Sequence, residues 1–334
     1  MLFFSIFFIG IYANSQTKII NKGEIVLPKA FGKHPIYKLK IDGQSNKLEI
    51  YLNGVRIYKD LSATTSNITI PINDYIINGK NEIKVKLIAD KGMHYQFQKN
   101  AFFKLSMIVS GEKKDIVIST LKYTERFKNK LEGTSQEGSY QMDDVLKLTS
   151  EGELKISKPK VTNFNMFRLQ KVTGVKIQQD IFLPAPFPRW KFLDSKGILD
   201  KPFDSLTMEE YMKLKESQKI KGLYDAYRKV YTALKNKDVD EALKLFKERF
   251  EEYDIAWYHP KGYTKEQMKV DFDEIVKNSD WELLPFNPKK YFIISDNNKL
   301  AEINLISFKK KNKSLYSNYH MKFRWDGKDW ILTR

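Results

Sequence analysis

Polar and apolar positions alternate with period two through much of the first half of the chain. The period becomes about 3.6 between residues 207 and 277 and returns to two after Asp280. Alternation marks a half-buried strand, and the longer period marks an amphipathic helix. The sequence therefore predicts strands first, then helices, then strands again.

The clearest strand pair is LEIYLNGVRIYK, residues 48–59. Asn53-Gly54 is a strong two-residue hairpin signal, because both turn positions need positive φ. A two-residue loop pairs Leu52 with Val55 and Ile50 with Ile57 on a buried face. Tyr51 with Arg56, and Glu49 with Tyr58, then fall on the other face. ITIPI at 68–72 reads as a further strand, with Pro71 marking an edge or bulge. After a turn at 78–81, Ile83, Val85 and Leu87 alternate with Glu82, Lys84 and Lys86, which predicts a strand with one wet face. Strand-like runs continue at 102–109, 115–123, 153–157, 161–169 and 172–183, with a Gly/Ser/Thr-rich loop at 132–139. The later runs either complete the first sheets or form a small second β unit. LPAPFPRWKF carries Pro184, Pro186 and Pro188 and reads as a stiff extended connector.

Thr207 and Glu210 form a capping box that starts the helical stretch. Gly222 is expected to end or bend the first helix, and Leu223–Lys235 to form a second, with Tyr227, Val230, Tyr231 and Leu234 on one face. Asp238 caps a third helix through Phe246, Phe250 and Tyr253, and Thr264 with Gln267 starts a fourth. Runs at 290–295, 299–308, 315–325 and 329–333 then read as strands. Asp326-Gly327 predicts a second two-residue hairpin, pairing Phe323 with Trp330, Met321 with Leu332, and Arg324 with Asp329.

The expected fold is multidomain: an N-terminal antiparallel β-sandwich over residues 18–125, a β-rich connector or small second β unit over 126–205, and an α+β domain over 206–334. The last would pack helices on a curved antiparallel sheet. YLNGVRIY followed by NITIPINDYIINGKNEIKVKL resembles the galactose-binding-like jelly-roll domains attached to many glycoside hydrolases, across about residues 35–90. That resemblance implies an accessory fold and carries no sugar-contacting residue over to this chain. The phrase KFRWDGKDWILTR, with the helices before it, resembles the cone-shaped nuclear-transport-factor-two and cystatin-like group across about residues 223–334. Its members include enzymes, ligand carriers and association modules, so the resemblance implies a fold and no single activity.

Composition narrows the picture. At 42% hydrophobic and 13% aromatic, the chain can build real cores. Leu2–Tyr12 is apolar but too short to span a bilayer, and it matches a secretory signal ending near Ala13. Residues 1–13 are therefore expected to be removed on export to the periplasm or medium. No transmembrane segment is expected to remain. The chain has no cysteine, which excludes disulfides, thiolate metal sites and cysteine nucleophiles. The net charge of +17 is spread along the chain, so a nucleic-acid partner is not expected. Lys309, Lys310, Lys311 and Lys313 make the one dense basic run. It reads as a solvated hairpin tip, with a general attraction to anionic envelope surfaces as the alternative.

Nucleotide-binding, metalloprotease and serine-hydrolase motifs are missing, and no cofactor or metal is expected. The four histidines, His34, His94, His259 and His320, stand far apart in sequence. Asp271 and Glu274 share a helix face, which is the ordinary arrangement of solvated carboxylates. The most unusual cluster is IAWYHPKGY. It gathers Trp257, Tyr258, His259 and Tyr263 at a helix end, where a cone-shaped fold would open its pocket. These four are the candidate ligand contacts; core packing and helix capping by the histidine are the plainer alternative. Arg189-Trp190 is a second candidate, for an interdomain contact. The expected function is a non-catalytic envelope protein that binds a glycan, a peptide or a protein. The alternative is an enzyme or small-ligand carrier using a pocket in the C-terminal domain, with His259 or a helix carboxylate as base.

Overall fold

The computed structural model describes residues 27–44, 47–62, 65–88, 101–111, 114–124, 138–139, 155–156, 160–166 and 172–334. The expected signal at 1–13, His94 and most of the 132–139 loop lie outside these residues. Gly138 and Ser139 are strand rather than loop.

The first half is built from antiparallel strands: β1 (Ile36–Gln44), β2 (Lys47–Leu52), β3 (Val55–Asp60), β4 (Ser66–Pro71), β5 (Gly79–Ile88), β6 (Phe102–Ser110), β7 (Asp115–Thr124), β8 (Gly138–Ser139), β9 (Lys155–Ile156), β10 (Lys160–Met166) and β11 (Val172–Leu183). They form one sheet in the order β4-β1-β6-β7-β8 and a second in the order β10-β11-β5-β2-β3, with β9 beside β11. Leu39, Ile41, Phe103 and Leu105 of the first sheet pack in one core with Ile50, Ile83, Val85 and Ile177 of the second. Burying each such side chain contributes about 1.5–3 kcal/mol. Strand β11 pairs with β5 from Gly174 to Leu183, so the 172–183 run joins this sheet rather than a separate unit. Pro71 ends the edge strand β4, where its missing N–H costs no ladder bond.

The Asn53-Gly54 turn has φ of 50° and 76°, as a two-residue hairpin requires. Leu52 pairs with Val55 and Tyr51 with Arg56. A bulge between Ile50 and Tyr51 then shifts the register, so Ile50 faces Tyr58 and Glu49 faces Lys59. The expected pairings of Ile50 with Ile57 and Glu49 with Tyr58 are thereby corrected. A bulge adds one unpaired residue, which alternation alone does not reveal.

The second half begins with α1 (Met208–Glu216), α2 (Gln218–Lys235), α3 (Val239–Lys244), α4 (Lys247–Ala256) and α5 (Tyr263–Lys277). The Thr207–Glu210 capping box is present. The break between the first two helices falls at Ser217, whose backbone is extended and whose side chain caps α2. Gly222 does not end a helix. It lies inside α2, where an added Cβ would come within 3.5 Å of the Trp330 ring. Thr264 is not the cap of α5. Gly262 holds that place at φ 91°, and Thr264 is engaged by Asp254.

Seven short strands follow: β12 (Trp281–Leu283), β13 (Ile293–Ile294), β14 (Leu300–Glu302), β15 (Ile306–Lys310), β16 (Tyr316–Tyr319), β17 (Lys322–Trp325) and β18 (Trp330–Leu332). They divide between two antiparallel sheets, β12-β15-β16 and β13-β14-β17-β18. The last hairpin differs from expectation. Trp325 pairs with Trp330 and Phe323 with Leu332, leaving a four-residue connection. The Asp326 carboxylate accepts the N–H groups of Lys328 and Asp329, both at 2.8 Å. An aspartate that bonds its own backbone two residues on makes a wider turn than the two-residue type.

The face of β2 and β5 expected to be wet is covered by the second half. Asp296, in the β13–β14 turn, lies 3.2 Å from Lys84 Nζ and 3.4 Å from Lys86 Nζ. Arg56 Nη2 lies 2.6 Å from Glu302 Oε1. Tyr51, assigned by alternation to the exposed side, is 6% exposed. Alternation sorts side chains by polarity, and a polar face buried against complementary charges looks the same in sequence as one facing water.

Candidate functional site

The 255–263 segment is a helix stop. At the end of α4, Tyr258 N–H donates to Ile255 O and His259 N–H to Asp254 O, with Tyr258 at φ 57°. This is a Schellman closure with a tyrosine at the left-handed position usually held by glycine, followed by Pro260. Left-handed backbone costs a bulky residue about 1–2 kcal/mol. Contacts with the first half offset it: Tyr258 OH donates to Pro35 O at 3.1 Å, and its ring lies 4.6 Å from His34 and 5.8 Å from Phe187. Trp257 packs against the same core from its edge.

His259 is exposed as a residue and packs against Tyr263, with ring centroids 4.4 Å apart. Partial burial of the imidazole lowers its pKa, and the nearby Asp254 opposes that only in part. Burial thus disfavours a charged ring at this helix end, and it is the His259 backbone N–H that caps α4. Asp254 accepts N–H bonds from Gly262 and Thr264 at 2.6 and 2.8 Å, which holds the start of α5. Trp190 is fully buried and donates Nε1–H to Ile76 O at 2.8 Å. The Arg334 guanidinium lies 5.3 Å from its ring, so Trp190 does bridge the halves. Its neighbour Arg189 is exposed and pairs with Asp194. Trp190, Trp257, Tyr258, His259 and Tyr263 thus gather at or beside the junction. None of them lines either of the two cavities described next.

The first cavity is a cleft of about 150 Å³ between the halves, lined by Glu49, Tyr51 and Arg56 on one side and Asp296, Glu302 and Lys322 on the other. Its charges satisfy one another: Arg56 holds both Glu49 and Glu302. That volume suits about five water molecules, whereas small-molecule sites occupy roughly 300–1,000 Å³.

Beside the cleft lies a buried polar cluster. Arg334 donates to Glu252 and to Asp74 O, and its guanidinium lies over Phe192 at 4.8 Å. Asp74 Oδ2 is buried without a hydrogen-bond partner. Burial raises the Asp74 pKa, against the pull of Arg334, Lys322 and Arg249. Burial likewise lowers the pKa of Lys322, although Glu302 and Tyr253 oppose it.

The second cavity is an open groove of about 440 Å³ in the second half. Helix α2 lends Ala226 and Lys229, the end of α3 lends Lys244, the turn after it Leu245 and the start of α4 Lys247, and Phe323, Trp330, Ile331 and Leu332 form an apolar floor. Strand β18 ends its sheet, so the groove follows a sheet edge. The carboxylates of the groove are engaged. Glu248 accepts a two-pronged contact from Arg324 at 2.7 and 2.6 Å. Burial works against ionising Glu248, but the Arg324 fork outweighs it, and the pKa is lowered. Glu251 lies 3.5 Å from Lys191. Lys229 and Lys247 have no carboxylate partner among the described residues. The groove therefore presents free cations above an apolar floor. Sequence reasoning missed it because its lysines sit on separate helices and meet only in three dimensions; the apolar run WIL was the one visible part.

Among the described residues, no three His, Cys, Asp or Glu side chains gather as a metal site, and no helix is long and apolar enough to cross a membrane. Compared with protein-family models and with curated proteins, the chain matches none.

Proposed function

We propose that this chain is an exported, non-catalytic binding protein whose recognition surface is the groove between α2, α4 and β18. The observation that carries this reading is the pairing of an apolar floor with Lys229 and Lys247, two cations without a carboxylate partner among the described residues. Such a surface holds a ligand with an apolar body and an anionic group. It is poorly suited to moving protons, because Glu248 is locked by Arg324 and Glu251 is engaged by Lys191. The first half is read as a β-sandwich of the galactose-binding-like type, serving as a support rather than a sugar reader. The support for this is that two sheets share one core and that the polar face of β2 and β5 is taken up by the second half. The second half is read as a cone-shaped α+β unit, although its strands divide between two sheets rather than one; the groove opens along the β18 edge of the second. Export is inferred from the apolar run at Leu2–Tyr12.

The test is a nuclear magnetic resonance screen of the full chain with matched aromatic fragments bearing a carboxylate, an amide or an amine. Carboxylate fragments should shift amides of residues 226–251 and 329–332. Lys229→Glu with Lys247→Glu should weaken them about tenfold or more. Equal binding of all three fragment classes, or shifts confined to the first half, would contradict the assignment.

A further inference from the structure

The basic run 309–313 belongs to the hairpin between β15 and β16, whose tip spans residues 311–315. The tip is not merely charged. Leu315 is 44% exposed and Tyr316 is 50% exposed, side by side and next to the lysines. Lys309 Nζ lies 5.9 Å from the Tyr316 ring and Lys310 Nζ 5.7 Å from the Trp281 ring, so their charges flank aromatic faces. Lys311 and Lys313 are exposed and have no carboxylate partner among the described residues. Strand β16 is the end strand of its sheet, which leaves the hairpin projecting from an edge.

We propose that this hairpin tip is a membrane-surface contact, with Leu315 and Tyr316 entering the headgroup region of an anionic bilayer and the four lysines attracting its phosphates. This inference is independent of the groove. Its basis is charge complementarity together with exposed apolar side chains at the same tip. A lysine near an anionic bilayer strengthens attachment about fivefold, so four can contribute on the order of several hundredfold. One shallow apolar pair adds to this without anchoring the protein irreversibly, as expected of a peripheral contact. A contact with an anionic polymer such as nucleic acid would use the lysines and leave Leu315 without a role.

The experiment is co-sedimentation of the exported form, from Asn14 onward, with vesicles of phosphatidylcholine alone or mixed with phosphatidylglycerol. The protein should bind the mixed vesicles and not the neutral ones, and added salt should release it. Lys311→Gln with Lys313→Gln should weaken binding about twentyfold. Leu315→Ser with Tyr316→Ser should also weaken it at low salt, while the release by salt persists. Lys213→Gln, on exposed α1, should change nothing, and unaltered thermal melts should show that the variants remain folded. Equal binding to neutral vesicles, or no effect of the lysine pair, would overturn the proposal. So would undiminished binding of the Leu315/Tyr316 variant, which would assign the tip to anionic polymers instead.

Discussion

The Asn297 side-chain amide donates to the Asn53 carbonyl across 2.7 Å, so the β13–β14 turn is held by the tip of the β2–β3 hairpin. Asn53 is itself fixed from below: its amide donates to Tyr75 O and to Asn81 Oδ1, and its Oδ1 accepts Glu82 N–H. One residue therefore closes a turn, ties it to β5 and receives the second half.

That arrangement makes the two turn glycines unequal. A Cβ on Gly54 would stand 2.4 Å from Asn297 Cβ and 2.7 Å from its backbone N, whereas one on Gly327 would meet only the flexible Lys196 side chain. Both have positive φ, which costs an alanine about 1–2 kcal/mol. Gly54→Ala should cost that plus the displaced docking, about 3 kcal/mol or more in total. Gly327→Ala should stay near the backbone figure. Urea midpoints of the two variants decide the point; equal losses would separate the hairpin tip from the docking.

Arg56 and Glu302 are both largely buried at the junction and contact at 2.6 Å. Removing either alone should cost about 1–3 kcal/mol, because the other keeps only a longer contact, Arg56 with Glu49 at 3.4 Å or Glu302 with Lys322 at 3.9 Å. The double variant should cost less than the sum. Stability measurements on Arg56→Ala, Glu302→Ala and their combination give the coupling directly, and strict additivity would mean that the pair does not join the halves.

Asp74 sets a pH dependence. Burial holds its folded pKa above the ordinary value despite Arg334, Lys322 and Arg249. Burial thus favours the neutral form relative to a free aspartate. Its contribution is fully present below the unfolded pKa, about 4, and is lost as pH rises through the folded value. Asp74→Asn should therefore raise the melting temperature at pH 7, with the gain shrinking toward pH 4. A loss of stability at pH 7 would mean that the three cations outweigh burial.

His259 behaves in the opposite sense to a charged cap. With its folded pKa lowered mainly by burial, its neutral ring contributes above the unfolded value of about 6.5, and that contribution fades as pH falls. His259→Ala should cost most near pH 8 and less at pH 5. Asp254→Ala removes the acceptor of Gly262 and Thr264 and should cost about 2 kcal/mol. Thermal melts at the two pH values check both, and a His259 effect that grows on acidification would restore the charged-cap reading.

Local chemistry was legible in the sequence at several short motifs, though not at Thr264, where Gly262 caps the helix instead. The Asn53-Gly54 turn, the Thr207–Glu210 box and the Asp238 cap all form as their residues dictate. The bulge after Ile50 and the wide turn at Asp326 were not, because each adds residues without changing the hydrophobic pattern. The junction was hidden for a different reason. Lys84 and Lys86 meet Asp296 from more than two hundred residues away, and no periodicity encodes such a partner. Tyr51 was the available hint, an aromatic on a face otherwise charged. The aromatic segment at 257–263 was visible as unusual, but its residues close α4 and brace the first half. The groove lysines carry no local signal at all.

The central claim is that the polar face of β2 and β5 is an internal joint, which makes the protein a single piece presenting the groove. Differential scanning calorimetry of the full chain tests it most directly. A single transition is expected, with calorimetric and van't Hoff enthalpies equal, shifting as a whole to lower temperature in Glu302→Ala. Two resolved transitions, with only one of them moved by that substitution, would contradict it.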